Sequence, residues 1–127
     1  AETWIKDINI VAPSSEPLIK TLSGGNQQKV VIAKWLNTHP DLLILNGPTV
    51  GVDIGAKADI HKILHQLAAT GVGIIIISDD LSELVQNCNK IIVMSGGSVA
   101  VELNSSETSE SMLSAMLNGK VEQEAAK

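Results

Sequence analysis

At 127 residues the chain has room for one domain of ordinary size, since single domains commonly run about 100–200 residues. Apolar residues make up 44% of it, yet Phe and Tyr are absent, so a core must be built from Ile, Leu, Val and two Trp rather than from an aromatic-rich interior. All nine cations are lysines and the formal net charge is −5, which argues against a nucleic-acid-binding face and leaves neither an arginine finger nor bidentate Arg–carboxylate bridges.

Residues 1–20 alternate short apolar pairs (Trp4-Ile5, Ile10-Val11) with polar residues and two prolines, and read as an irregular arm. From Gly25 to Leu36 the apolar positions Val30, Val31, Ala33, Trp35 and Leu36 follow helical spacing, and Asn37-Thr38-His39-Pro40 supplies the stop. Asp41–Leu45 is a continuous apolar run after a turn, the pattern of a strand covered on both faces of a parallel sheet. Gly55–Thr70 repeats apolar residues at Ile60, Ile63, Leu64 and Leu67 before Gly71, a helix closed by a glycine, and Val72–Ser78 is the next strand. Strand, helix, strand is a parallel crossover, right-handed by rule. Leu81–Asn87 reads as a short helix, Lys90–Met94 and Ser98–Leu103 as a hairpin turning through Ser95-Gly96-Gly97, and Ser106–Asn118 as a helix with Met112, Leu113, Met116 and Leu117 on one face. Residues 120–127 read as a flexible tail. The alternation predicts an α/β fold, a mainly parallel sheet flanked by helices with a C-terminal hairpin and helix, and ligands at the C-terminal strand ends.

The chemistry concentrates in Leu22–Lys29. Two glycines let backbone N–H groups approach an anion closely, Ser23 adds a hydroxyl, and the helix behind them turns its positive dipole end toward the same point. Taken alone, Ser23-Gly24-Gly25 reads first as a glycine-containing helix entry capped by Ser23. The lone Cys88 falls at a helix end, where a small apolar packing residue is expected; no internal disulfide can form, and the chain suits a reducing compartment. No run approaches the ~20 apolar residues needed to cross a bilayer, and the start of the chain lacks a basic-then-apolar signal pattern.

The segments downstream of the glycine pair give it meaning. A helical run, an apolar strand ending in Pro48-Thr49, and Gly51-Val52-Asp53 succeed one another in an order that resembles the ATP-binding subunit of ABC transporters. Leu22–Gln28 is similar to that family's LSGGQ signature, Asp41–Thr49 to its Walker B strand, and Gly51–Lys57 to the D-loop of the branch whose two fused nucleotide-binding domains energise sugar import. The resemblance covers roughly residues 15–118 and is nearest to the second, C-terminal nucleotide-binding domain. It implies that residues 21–119 are the C-terminal half of such a domain, and that the phosphate loop, adenine-stacking residue and Q-loop belong upstream of residue 1.

The family's catalytic groups are altered here. No G-x-x-x-x-G-K-[ST] loop occurs in the chain. Asn46 and Gly47 stand where the family pattern has an aspartate supporting Mg²⁺ and a glutamate acting on water, and neither can serve as a base. As a bare sequence, Asn46-Gly47-Pro48 is equally a plain turn. Asp79 occupies the usual position of the switch histidine, where a carboxylate would repel phosphate, so Asp79 and Asp80 are expected to cap the following helix. His61 and His65 are four apart, but with no further ligands they read as a solvated helix flank.

By the resemblance, Ser23, Gly24 and Gly25 contact ATP bound by a second nucleotide-binding domain, Asn26 and Gln27 add hydrogen bonds to it, and Asp53 serves the D-loop. ATP and Mg²⁺ belong to the complete assembly and none is expected on the isolated chain. Membrane permease subunits are the other partners, placing the chain in the cytoplasm, peripheral to the inner membrane. Two further readings stay open. One is a true ATPase subunit whose phosphate loop lies upstream. The other is a structural or interaction remnant that folds, exposes an apolar sheet face and self-associates. A DNA-repair ABC ATPase shares LSGG and Walker B, but the acidic balance, the lack of arginine and Gly51–Lys57 favour transport.

Overall fold

The computed structural model describes residues 22–125, with side chains through residue 119; the arm expected over 1–20 lies outside them. The stretch 21–119, expected as a single half-domain, divides into two compact units, one ending at Ile77 and the other starting at Ser78.

In the first unit, helix α1 (Gly24–Leu36) starts at Ser23, whose side chain accepts from the Asn26 N–H, and buries one stripe: Gly25, Lys29, Ile32, Ala33 and Leu36. Its end is a turn in which His39 takes a φ of 50° ahead of Pro40. Strand β1 (Leu42–Asn46) follows, then helix α2 (Ile54–Ala69) and strand β2 (Gly73–Ile77). The two strands pair in parallel, with Leu43 opposite Ile74 and Leu45 opposite Ile76. These four residues turn to the face on which Ile32 and Leu36 of α1 and Ile60, Ile63 and Leu64 of α2 form the core. A fully buried aliphatic side chain contributes about 1.5–3 kcal/mol, so among the described residues this cluster holds the unit together without an aromatic ring.

The strand does not have both faces covered. Leu42, Ile44, Ile75 and Ile77 are 46–59% exposed, because among the described residues α1 and α2 share the other face of the pair. A continuous apolar run does not distinguish one covered face from two, whereas the observed burial alternates strictly along β1.

In the second unit, helix α3 (Leu81–Asn87) has the limits its pattern predicts, with Asp80 as its cap, accepting from the Glu83 N–H. Asp79, expected to share that task, is exposed and takes no part in the cap hydrogen bond. Strands β3 (Lys90–Ser95) and β4 (Ser98–Asn104) form the antiparallel hairpin, turning through Gly96 and Gly97 at positive φ, with a bulge at Val93/Met94. A 3₁₀ turn at Ser105–Glu107 then precedes helix α4 (Glu110–Ala125), whose start Ser109 caps by accepting from the Met112 N–H. The terminal helix thus begins later and ends later than its pattern predicts, and residues 120–125, expected in the tail, are helical. Leu113 alone of its expected apolar face is fully packed, against Ile91 and Val93; Met112 and Leu117 are 44% and 37% exposed.

Cys88 caps α3 and packs at the edge of this core. Burial, and secondarily the Glu83 carboxylate, push its thiol pKa up.

Candidate functional site

Ser23 is exposed at the entry to α1. Its Oγ accepts from the Asn26 N–H at 3.4 Å and from Asn26 Nδ2 at 3.0 Å, so the hydroxyl proton is left to donate elsewhere. Gly24 and Gly25 follow in the first turn, where backbone N–H groups have no partner within the helix. Asn26 and Gln27 are half-buried and bond within the entry: Gln27 Nε2 donates to the Leu22 carbonyl at 2.9 Å, and the Asn26 side-chain amide donates to Ser23 Oγ.

The Gly51–Asp53 loop packs against this entry. The Gly51 carbonyl lies 3.5 Å from where a Gly24 Cβ would sit, an ordinary contact distance. One residue on, the spacing closes: a Cβ on Gly25 would collide with the Ala56 Cβ. Gly25 is therefore required by helix packing as well as suited to an anion. Asp53 is the N-cap of α2, its Oδ1 accepting from the Ala56 N–H at 2.9 Å, so a residue expected to serve the D-loop starts the helix that packs on Gly25.

Two residues that sequence reasoning passed over complete the seam. Lys29, 4% exposed on the buried stripe of α1, pairs through Nζ with Asp59 Oδ2 at 2.6 Å. A cation at the 25, 29, 32, 33, 36 spacing was the available signal; the identity of its partner on α2 was not in the pattern.

At the end of β1, Asn46 is exposed and Gly47 turns with φ 58° while its N–H donates to the Ile77 carbonyl at 2.8 Å. Val50 N–H closes the turn onto the Gly47 carbonyl, and Pro48 and Thr49 are buried. In the second unit, Ser78 Oγ donates to the buried Glu83 carboxylate and accepts from the Asp80 N–H, which orders the segment around Asp79. Among the described residues, no three His, Cys, Asp or Glu side chains are grouped as a metal site requires. No helix among them is long and apolar enough to cross a membrane.

The parallel pair with its covering helices, the capped Ser-Gly-Gly entry and the loop packed on it are similar to part of an ATP-binding cassette of the ABC type. Residues 1–50 match the ABC transporter family. A solved structure of cbiO1 from Clostridium perfringens, part of the ABC transporter complex cbiONQ, aligns with a TM-score of 0.73 at 29% identity, over 84% of this chain and 42% of that one. Among curated proteins, the ribose import ATP-binding protein RbsA of Clostridium perfringens is 50% identical over 109 residues, 86% of this chain and 22% of its own length. The arabinose import ATP-binding protein AraG of Pseudomonas savastanoi pv. phaseolicola is 45% identical over 113 residues, 89% of this chain and 22% of its own length. The chain is thus homologous to sugar-import ATP-binding proteins of the ABC transporter family, and spans about a fifth of the length of the curated relatives it matches.

Proposed function

We propose that this chain is the signature-bearing part of a sugar-import ABC ATPase, presenting Ser23, Gly24 and Gly25 to the γ-phosphate of ATP held by a second nucleotide-binding domain. The observation that carries this reading is the entry to α1. An exposed hydroxyl, an exposed glycine, a second glycine packed behind it and the N–H end of a 13-residue helix lie together there. Such a group is suited to stabilise negative charge developing on a phosphate, and removal of one preorganised donor from sites of this type costs about 10²–10³ in rate. Asn26 and Gln27 contribute by fixing Ser23 and Leu22 in place. Asp53 sets the start of α2 and so the position of the D-loop beside the signature.

ATP with Mg²⁺ supplies the reacting phosphate in the assembled transporter. The strand end of this chain does not fit the metal of such a site: Asn46 is uncharged, Gly47 has no side chain, and the Gly47 N–H is engaged by Ile77. The chain's part is therefore to complete a neighbour's site. Permease subunits at the inner membrane are the remaining partners, and the names of the relatives favour a pentose as cargo.

The test adds the chain to an ABC cassette whose own signature segment has been inactivated and follows phosphate release from ATP. Turnover is expected to return with the wild-type chain and to be absent from the chain by itself. Saturable hydrolysis by the purified chain, or no effect on the cassette, would overturn the reading.

A further inference from the structure

The buried stripe of α1 holds one charge, and stability does not explain it. Gly25, Ile32, Ala33 and Leu36 are the small or apolar residues such a seam requires, while Lys29 sits among them at 4% exposure. Withdrawing an ammonium from water is costly, and an ion pair in that setting about breaks even with well-packed apolar residues of the same size. What a charge pair adds is direction. Apolar packing tolerates sliding and rotation of one helix on another, whereas a 2.6 Å contact between Lys29 Nζ and Asp59 Oδ2 does not. The pair is also well placed. Lys29 stands one turn beyond Gly25 on α1, and Asp59 one turn beyond Ala56 on α2, so the ion pair extends the close Gly25/Ala56 contact along a single seam.

We propose that the Lys29–Asp59 pair is a positioning device: it fixes the register of α2 on α1 so that Ser23 and the Gly51–Asp53 loop meet the partner's nucleotide as one surface. This rests on the in-trans role proposed for Ser23. Neither residue of the pair touches the nucleotide.

The experiment uses the full chain in the same phosphate-release assay and replaces both charges at once, as Lys29→Met with Asp59→Leu. The thermal midpoint is expected to stay at or above that of the wild type. The assisted kcat falls at least about tenfold while KM for ATP is unchanged, as displacement of aligned groups predicts. Lys29→Arg, which keeps the pair, retains most of the turnover. A double variant with wild-type kcat would overturn the proposal. Should that variant not fold, Asp59→Asn decides, since Asp59 is half exposed and the amide keeps its shape: an unchanged kcat overturns it equally. Ser23→Asp separates the two levels, because turnover untouched by that change sinks the in-trans role itself.

Discussion

Gly25 of α1 and Ala56 of α2 face each other at a separation that leaves no room for a side-chain carbon on Gly25. Gly25 is thus held by the helix that follows the Gly51–Asp53 loop, and Gly24 is not, since a Gly24 Cβ would find the Gly51 carbonyl at 3.5 Å.

The two glycines should therefore separate in stability. Gly25→Ala is expected to cost about 1–3 kcal/mol, the usual penalty of overpacking. Gly24→Ala should be neutral or slightly stabilising, since alanine gains up to about 1 kcal/mol over glycine within a helix. Denaturant midpoints measure both, and Ala56→Gly should restore the Gly25→Ala variant. Equal midpoints for the two single variants would contradict the seam geometry.

Ser23 is both a helix cap and a proposed phosphate donor, and two substitutions divide the roles. Ser23→Asp keeps a capping oxygen, so chemical denaturation should place it within a few tenths of a kcal/mol of the wild type, roughly as cap rankings predict. The same change sets a carboxylate against phosphate and should abolish assistance to a partner. Ser23→Ala should lose about 1 kcal/mol of stability with the cap.

The uncovered face of the β1–β2 pair should drive association. Ile44 and Ile75 are register neighbours and both exposed, so Ile44→Lys with Ile75→Lys places two charges at its centre. Sedimentation at micromolar concentration should show self-association of the wild type and a shift toward monomer in the double variant. A monomeric wild type would count against this surface being sticky.

Cys88 gives a pH-dependent prediction. Its thiol pKa is raised in the fold, so the folded state retains the proton longer than the unfolded chain does. The associated stability is complete below the unfolded thiol pKa and is lost as pH rises toward the folded one. Alkylation of native protein should accordingly need higher pH than alkylation in denaturant. Glu83→Gln should narrow the gap without closing it, since burial is the larger cause.

Local signals in the sequence were faithful where the chemistry was local. Ser23 and Asp80 cap the helices they precede, the Gly96-Gly97 turn closes the hairpin, and Leu81–Asn87 has its predicted limits, because each depends on residues within one turn of chain. Long-range matters were not legible. The apolar run of β1 gave no sign that one face stays uncovered. Asp59 is unremarked until α2 is laid on α1. The late start of α4 follows from Ser109 winning the cap after the 3₁₀ turn, a competition between neighbouring serines that spacing does not decide. At the site, the residue types pointed to phosphate, whereas the hydrogen bonds of Asn26 to Ser23 and of Gln27 to the Leu22 carbonyl emerged from the fold.

Gly47 fixes the shape of the strand end. Its φ of 58° disfavours any residue with a side chain, and a Cβ there would stand 2.9 Å from Val50 Cγ2. A single codon change to glutamate would thus meet both an unfavourable backbone and a blocked space. A side chain installed at this position would therefore require the turn and Val50 to change with it.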